Sequence, residues 1–154
     1  MSFEKEKSLD KEIGPKFLDK LKLIQDNAAL VVTIHLYTEY WINRILKEKK
    51  KNPGEIVKNE SSYSVKLDFV YNMGFITDQL FSNLKKLNKL RNKCAHQLDY
   101  DFVDMDCNYT LFSIPDDIKL DKIQNIHDRL VWIGIATFGV LHNHCMTNLN
   151  IGNE

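Results

Sequence analysis

Proline and glycine are scarce, three and six in 154 residues. That scarcity argues against a turn-rich sandwich or barrel and favours long uninterrupted elements. The three cysteines, Cys94, Cys107 and Cys145, are odd in number and lack paired spacing, so no disulfide framework is expected. No apolar run is long enough to span a bilayer: the greasiest stretches, residues 27–36 and 130–141, are too short or interrupted. Residues 1–22 are a charged mixture without the apolar centre of a signal peptide, so the expected location is cytoplasmic and no membrane partner is expected. Net charge is zero, which excludes an overall polyanion-binding composition.

That neutrality conceals an uneven spread. Residues 61–98 carry six Lys and Arg against two acids, and residues 99–154 carry three against nine. A basic segment within a neutral chain can focus potential on an anionic ligand, although the plainer reading is a solvated helix face.

The apolar spacing is helical nearly throughout. Residues 1–13 read as a flexible charged leader, and Gly14-Pro15 marks the start of a single domain over residues 14–150. Phe17, Leu21, Ile24, Ala28, Val31, His35, Thr38, Trp41 and Ile45 predict a long helix, with a break near Asp26-Asn27. It ends in the basic run Lys47–Lys51 and the turn Asn52-Pro53-Gly54. Ser62 or Ser64 caps a short helix whose buried side is Val65, Phe69, Val70 and Met73, and Gly74 closes it in a left-handed conformation.

Thr77 caps the clearest amphipathic helix, on which Leu80, Leu84, Leu87, Arg91, Cys94 or Ala95, and Leu98 recur. An acidic loop, Asp99 to Asp106, and Pro115-Asp116 precede a last helix from about Ile118 to Thr147. The sum is an all-α antiparallel bundle of four to five helices.

The run Arg91-Asn92-Lys93-Cys94-Ala95-His96 carries the candidate chemistry. Arginine is permanently charged and grips phosphate oxygens with two prongs. Histidine as a residue type exchanges a proton near neutral pH. Together they suit attack of a ribose 2′-hydroxyl on its neighbouring phosphate, with no metal and no cofactor required. Lys85, Lys86, Lys89 and Lys93 on the same helix suit an RNA backbone. Asn92 and His96 share a face, but Arg91 and His96, five apart, diverge by about 140°. They converge only if the long Arg91 side chain wraps round, if the helix ends near His96, or if two chains each contribute, and the last makes a site across a symmetric dimer attractive. The competing reading pairs Arg91 with Glu39 and leaves His96 as a helix-end hydrogen bonder.

The segments SSYSVKLDFVYNMGFI (residues 61–76) and LNKLRNKCAH (residues 87–96) resemble the mannitol operon repressor-like branch of the HEPN superfamily of small helical domains. The likeness covers residues 27–103, with its specific part in Ser61–His96. It implies an Arg-x4-His motif formed by Arg91, Asn92 and His96. In ribonuclease members such a motif works at a groove between two protomers, in toxin–antitoxin or phage-defence systems. Leu98 stands where one toxin group has a tyrosine modified by its antitoxin, and Tyr100 lies beyond it. The resemblance also implies an alternative, a non-catalytic transcriptional regulator or adaptor acting through a partner protein. The partners expected are RNA, a second copy and an antitoxin or regulatory protein.

Other combinations carry less. His142 and His144 would point about 200° apart on a helix, the wrong arrangement for a shared metal even with Cys145 and Cys107 nearby. The acidic loop lacks the central Gly and final Glu of a calcium loop. His35 and His127 read as structural, and Tyr37, Tyr40 and Trp41 as core or interface aromatics.

Overall fold

A computed structural model describes residues 2–49, 61–112 and 117–152. The turn at Asn52-Pro53-Gly54 and the Pro115-Asp116 loop closure lie outside the described residues. Helix α1 spans Phe3–Leu23, α2 Asn27–Lys49, α3 Tyr63–Asn72 and α4 Asp78–His96. After a short 3-10 turn, Leu120–Lys122, helix α5 covers Ile126–Gly134. A π-helical turn, Ile135–Gly139, joins it to α6, Val140–Thr147. Counting that interrupted last helix once, five helices pack into an all-α bundle, with no strand among the described residues.

Local chemistry sets most boundaries. The Asp26 carboxylate accepts from the Ala29 amide at 2.7 Å, and Ser62, Thr77 and Asn125 cap α3, α4 and α5 in the same way. Gly74 adopts φ +79°, the left-handed conformation that ends α3. The last helix begins at Ile126 rather than near Ile118. Ile123 takes an extended backbone after the 3-10 turn, and the Asn125 cap then starts the helix.

The expected flexible leader is corrected. α1 runs unbroken through Gly14-Pro15, and its first half is anchored by a buried ion pair. Asp10 is wholly buried and receives Arg44 Nε at 2.9 Å and Nη2 at 2.7 Å. The Tyr40 hydroxyl donates to the same carboxylate, and Glu48 takes Arg44 Nη1 at 2.7 Å. Burial lowers the basicity of Arg44, but the bonds to Asp10 and Glu48 outweigh it and raise its pKa. With Ile13, Phe17 and Leu21 also buried, tertiary contacts on both sides of Pro15 hold a helix that a lone interior proline would break.

Gly152 closes over this pair from the other end of the chain. It has φ +83°, and a β-carbon there would sit 2.9 Å from Asp10 Cβ. Gly152→Ala is therefore expected to destabilise the fold by about 1–2 kcal/mol from backbone conformation alone, with displacement of Asp10 added. Urea unfolding checks this, and an unchanged midpoint contradicts it.

The core is centred on α2, whose Leu30, Ile34, Trp41, Ile42 and Ile45 are completely buried. Leu80, Leu84, Leu87 and Leu90 of α4 face inward, whereas Leu98, expected to continue their stripe, is 95% exposed. The buried side of α3 is corrected in part: Val70 is buried as expected, but Val65, Phe69 and Met73 are not. Tyr63, Lys66, Leu67 and Val70 face inward, and Val65, Phe69 and Met73 are 45%, 41% and 42% exposed. Two polar contacts fix that rotation: the Tyr63 hydroxyl with Thr38 Oγ1 at 2.9 Å, and Lys66 with Glu39 at 3.6 Å.

Candidate functional site

Helix α4 carries the candidate residues because its leucines bury one arc and leave the opposite arc to solvent. At about 100° per residue, His96 lies about 40° from Asn92, 20° from Lys89 and 60° from Lys93. All four are exposed. Past Asp78 the helix holds no acid, so the lysines of this outer face have no opposing charge on their own helix. Lys93 Nζ also sits 5.9 Å from the Tyr100 ring centre. Lys86 turns to the margin, donating to the Asn108 carbonyl and lying 5.9 Å from the Tyr109 ring centre.

Arg91 and His96 do not meet within one chain. Arg91 and Asn92 line a cleft of about 630 Å³ between α2, α3 and α4. His96 lines a different cleft, of about 650 Å³, with Asp26, Asn27 and the loop after α4. Glu39 shares the Arg91 cleft, but its ion pair is with Lys66; the expected Arg91–Glu39 pair is corrected. The reason is the setting of α3, which delivers Lys66 directly beside α2. Among the described residues the one side-chain hydrogen bond of Arg91 is Nη1 to Asn92 Oδ1, at 3.2 Å. The guanidinium fork thus retains donors for an anion, and His96 is not tied to an internal acceptor among those residues.

His35, read from the sequence as structural, forms part of the Arg91 cleft. Its Nε2 bonds Asn88 Oδ1 at 2.9 Å, and its ring packs on Tyr63 at 4.0 Å. The signal was present in the spacing: His35, Glu39 and Asn43 recur every four residues on α2, facing Asn88 and Asn92 of α4.

Burial pushes the His35 pKa below its ordinary value, opposed by the Asn88 bond and by Glu39, and reinforced by Arg91 and Lys66. As pH falls below about 6.5, the unfolded chain takes up this proton first, so the folded state loses stability. His142 titrates in the same direction. We expect His35→Gln to reduce the loss of Tm between pH 7.5 and pH 5.5 relative to wild type. Parallel pH profiles for the two proteins contradict that expectation.

The remaining histidines serve packing. His144 Nε2 bonds the Phe75 carbonyl at 2.6 Å, and His127 Nε2 the Ile24 carbonyl at 2.9 Å. His142 lies against Trp41 and Phe138. Burial drives the Cys145 thiol pKa upward, away from thiolate chemistry. Trp41 is fully buried, and Tyr37 and Tyr40 pack against Phe138 and Trp41. None of these three rings offers a free stacking platform. No helix among the described residues is long and apolar enough to cross a membrane. No known protein family, characterised protein or solved structure matches the chain.

Proposed function

We propose that this chain is a HEPN-type domain that cleaves RNA without a metal, at a groove assembled from two copies in the cytoplasm. The observation that carries the reading is the basic outer face of α4. It exposes Asn92 and His96 together with Lys89 and Lys93, and Arg91, one cleft away, keeps guanidinium donors beyond its single bond to Asn92. A second copy related by two-fold symmetry supplies the Arg91 that one chain cannot bring to its own His96.

In this reading Lys89 and Lys93 draw in the RNA backbone, with Lys86 at the edge of the track. His96 removes the proton from a ribose 2′-hydroxyl, whose oxygen attacks the adjacent phosphorus. Arg91 of the other copy offsets the charge that gathers on the phosphate oxygens, and Asn92 orients them. The bond from phosphorus to the 5′-oxygen breaks, and the imidazolium returns the proton to that oxygen. The products are a 2′,3′-cyclic phosphate and a 5′-hydroxyl, a chemistry suited to a toxin or a phage-defence nuclease. Incubating the protein with tRNA and mRNA in chelator, and analysing the product ends, tests the reaction class. A 3′-hydroxyl with a 5′-phosphate overturns it.

One observation favours a second reading, a non-catalytic transcriptional regulator or adaptor like the mannitol operon repressor-like proteins. Val65, Phe69 and Met73 form an exposed apolar stripe along α3, an area suited to burial by a protein partner. An antitoxin would use the same area under the first reading.

A further inference from the structure

The outer face of α4 begins at a pair of stacked rings. Tyr71, near the end of α3, and Phe81, in the first turn of α4, lie almost parallel, with ring centres 3.9 Å apart and planes inclined by 5°. Both residues are partly exposed. The Tyr71 hydroxyl donates to Asp78 at 2.7 Å, which holds the ring in place at the surface. Lys85 sets its ammonium 5.2 Å from the Phe81 ring centre. Among the described residues no second ring or cation stacks on Tyr71, so the stack is open to one more planar group on that side.

These rings share a face with the candidate residues. At about 100° per residue, Phe81, Lys85, Lys89, Asn92 and His96 fall within an arc of about 80°, and the helix rises about 22 Å from Phe81 to His96. The acidic loop bounds this arc on one side, where Asp106 lines a small groove with Lys86, Lys89 and Lys93. A polyanion that follows the lysines is thereby directed along the arc, away from the loop. Asp78 is the one acid of α4, and the Tyr71 hydroxyl engages its carboxylate. A planar stack at one end, cations between and a proton-exchanging histidine at the other end suit a strand of planar bases and charged phosphates. A protein partner would call for a continuous apolar face, which this stripe is not.

We infer that Tyr71 and Phe81 form a base-stacking platform for single-stranded RNA, at the opposite end of the α4 face from His96. This inference rests on the RNA reading of that face and deepens it, by adding a second contact and the strand length it requires. An unpaired base extends the Tyr71–Phe81 stack, Lys85 and Lys89 offset the phosphates between, and the phosphate to be cut lies at His96. A base within a duplex is already paired and stacked, so only a single strand gains the contact. The rise from Phe81 to His96 corresponds to roughly six nucleotides at about 3.4 Å each, fewer where the strand is stretched. A trinucleotide cannot hold both ends at once, whereas a dodecamer can.

Fluorescence anisotropy of the full chain with a 2′-O-methylated single-stranded dodecamer and trinucleotide tests the inference, since a strand without the attacking hydroxyl stays whole. Expected is tighter binding of the dodecamer. Tyr71→Leu weakens the dodecamer by about fivefold to hundredfold and leaves the trinucleotide unchanged. Tyr71→Phe keeps the ring, loses the bond to Asp78 and retains most of the affinity. Lys85→Gln weakens the dodecamer and makes its affinity less dependent on salt. A 2-aminopurine built into the dodecamer gives a readout on wild type that needs no variant: its fluorescence falls on binding, as stacking on a ring requires. Dodecamer binding unchanged in folded Tyr71→Leu, equal weakening of both strands, unchanged 2-aminopurine fluorescence, or no binding by folded wild type overturns the inference. A ring pair that only pins α3 to α4 gives a lower Tm with unchanged RNA affinity. Failure of the two readings is separable. Cleavage of unmodified RNA by a chain whose dodecamer affinity ignores Tyr71 removes the platform alone. Tyr71-dependent binding without cleavage in chelator leaves the platform standing and removes the ribonuclease.

Discussion

With alanine in place of His96, RNA incubated with the protein is expected to stay essentially intact. The rate falls by about 10²–10⁴-fold, the usual contribution of a positioned proton-transfer group. The same substitution leaves thermal stability close to wild type. His96 is exposed at the last position of α4, and among the described residues no side chain depends on it for a hydrogen bond. That separation of effects gives the experiment its force. A histidine kept for structure produces the opposite pattern, with lower Tm and unchanged cleavage. Arg91→Lys is a demanding companion, because it retains the charge but loses the planar fork. Its cleavage is expected to fall well below wild type if two-pronged contact with phosphate matters.

The largest stability effect is expected far from the candidate site, at Asp10. This carboxylate is fully buried and receives two bonds from Arg44, itself only 4% exposed. Asp10→Ala leaves a buried guanidinium with Glu48 at 2.7 Å and Glu6 at 3.8 Å, and leaves the Tyr40 hydroxyl without its acceptor. Breaking a buried pair from one side costs about 3–5 kcal/mol, because the remaining charge stays desolvated. That is a large share of the roughly 5–15 kcal/mol that separates folded from unfolded domains. A fall in Tm on the order of 10 °C is expected. Glu12→Ala serves as the contrast: it removes a pair with Lys16 in which both side chains are more than half exposed, and little change is expected. Equal effects from the two substitutions would contradict the anchoring of α1 described above.

What was legible in the sequence follows a physical division. Caps are local, so Ser62 (with Ser64 as the alternative), Gly74 and Thr77 marked the start and close of α3 and the start of α4 without any tertiary knowledge. Leu80, Leu84 and Leu87 of α4 were equally plain, since their spacing is set by the helix alone, whereas Leu98 fell beyond its end. Pro15 misled because its cost is local and the force that overrides it is not: Asp10 finds Arg44 thirty-four residues away. The rotation of α3 was misjudged for a similar reason. Hydropathy alone chose Val65, Phe69 and Met73, but Tyr63 and Lys66 have polar partners on α2 that decide the face.

At the candidate site, the divergence of Arg91 and His96 could be read from helical geometry, and the structure places them in separate clefts. The partner of Glu39 could not be read, because it depends on where α3 docks. The four-residue spacing of His35, Glu39 and Asn43 was there to be read on α2, but that they share a cleft with Asn88 and Asn92 depends on how α2 and α4 pack.

The claim on which the functional account turns is that each site takes its arginine from one chain and its histidine from another. Mixed dimers of Arg91→Gln and His96→Ala chains test it directly. Each variant alone lacks one group in every groove, but a mixed pair contains one groove with both. Recovery of RNA cleavage on co-refolding the two inactive proteins is the result expected. If the mixture stays as inactive as either variant while mixed dimers are shown to form, the shared groove is wrong.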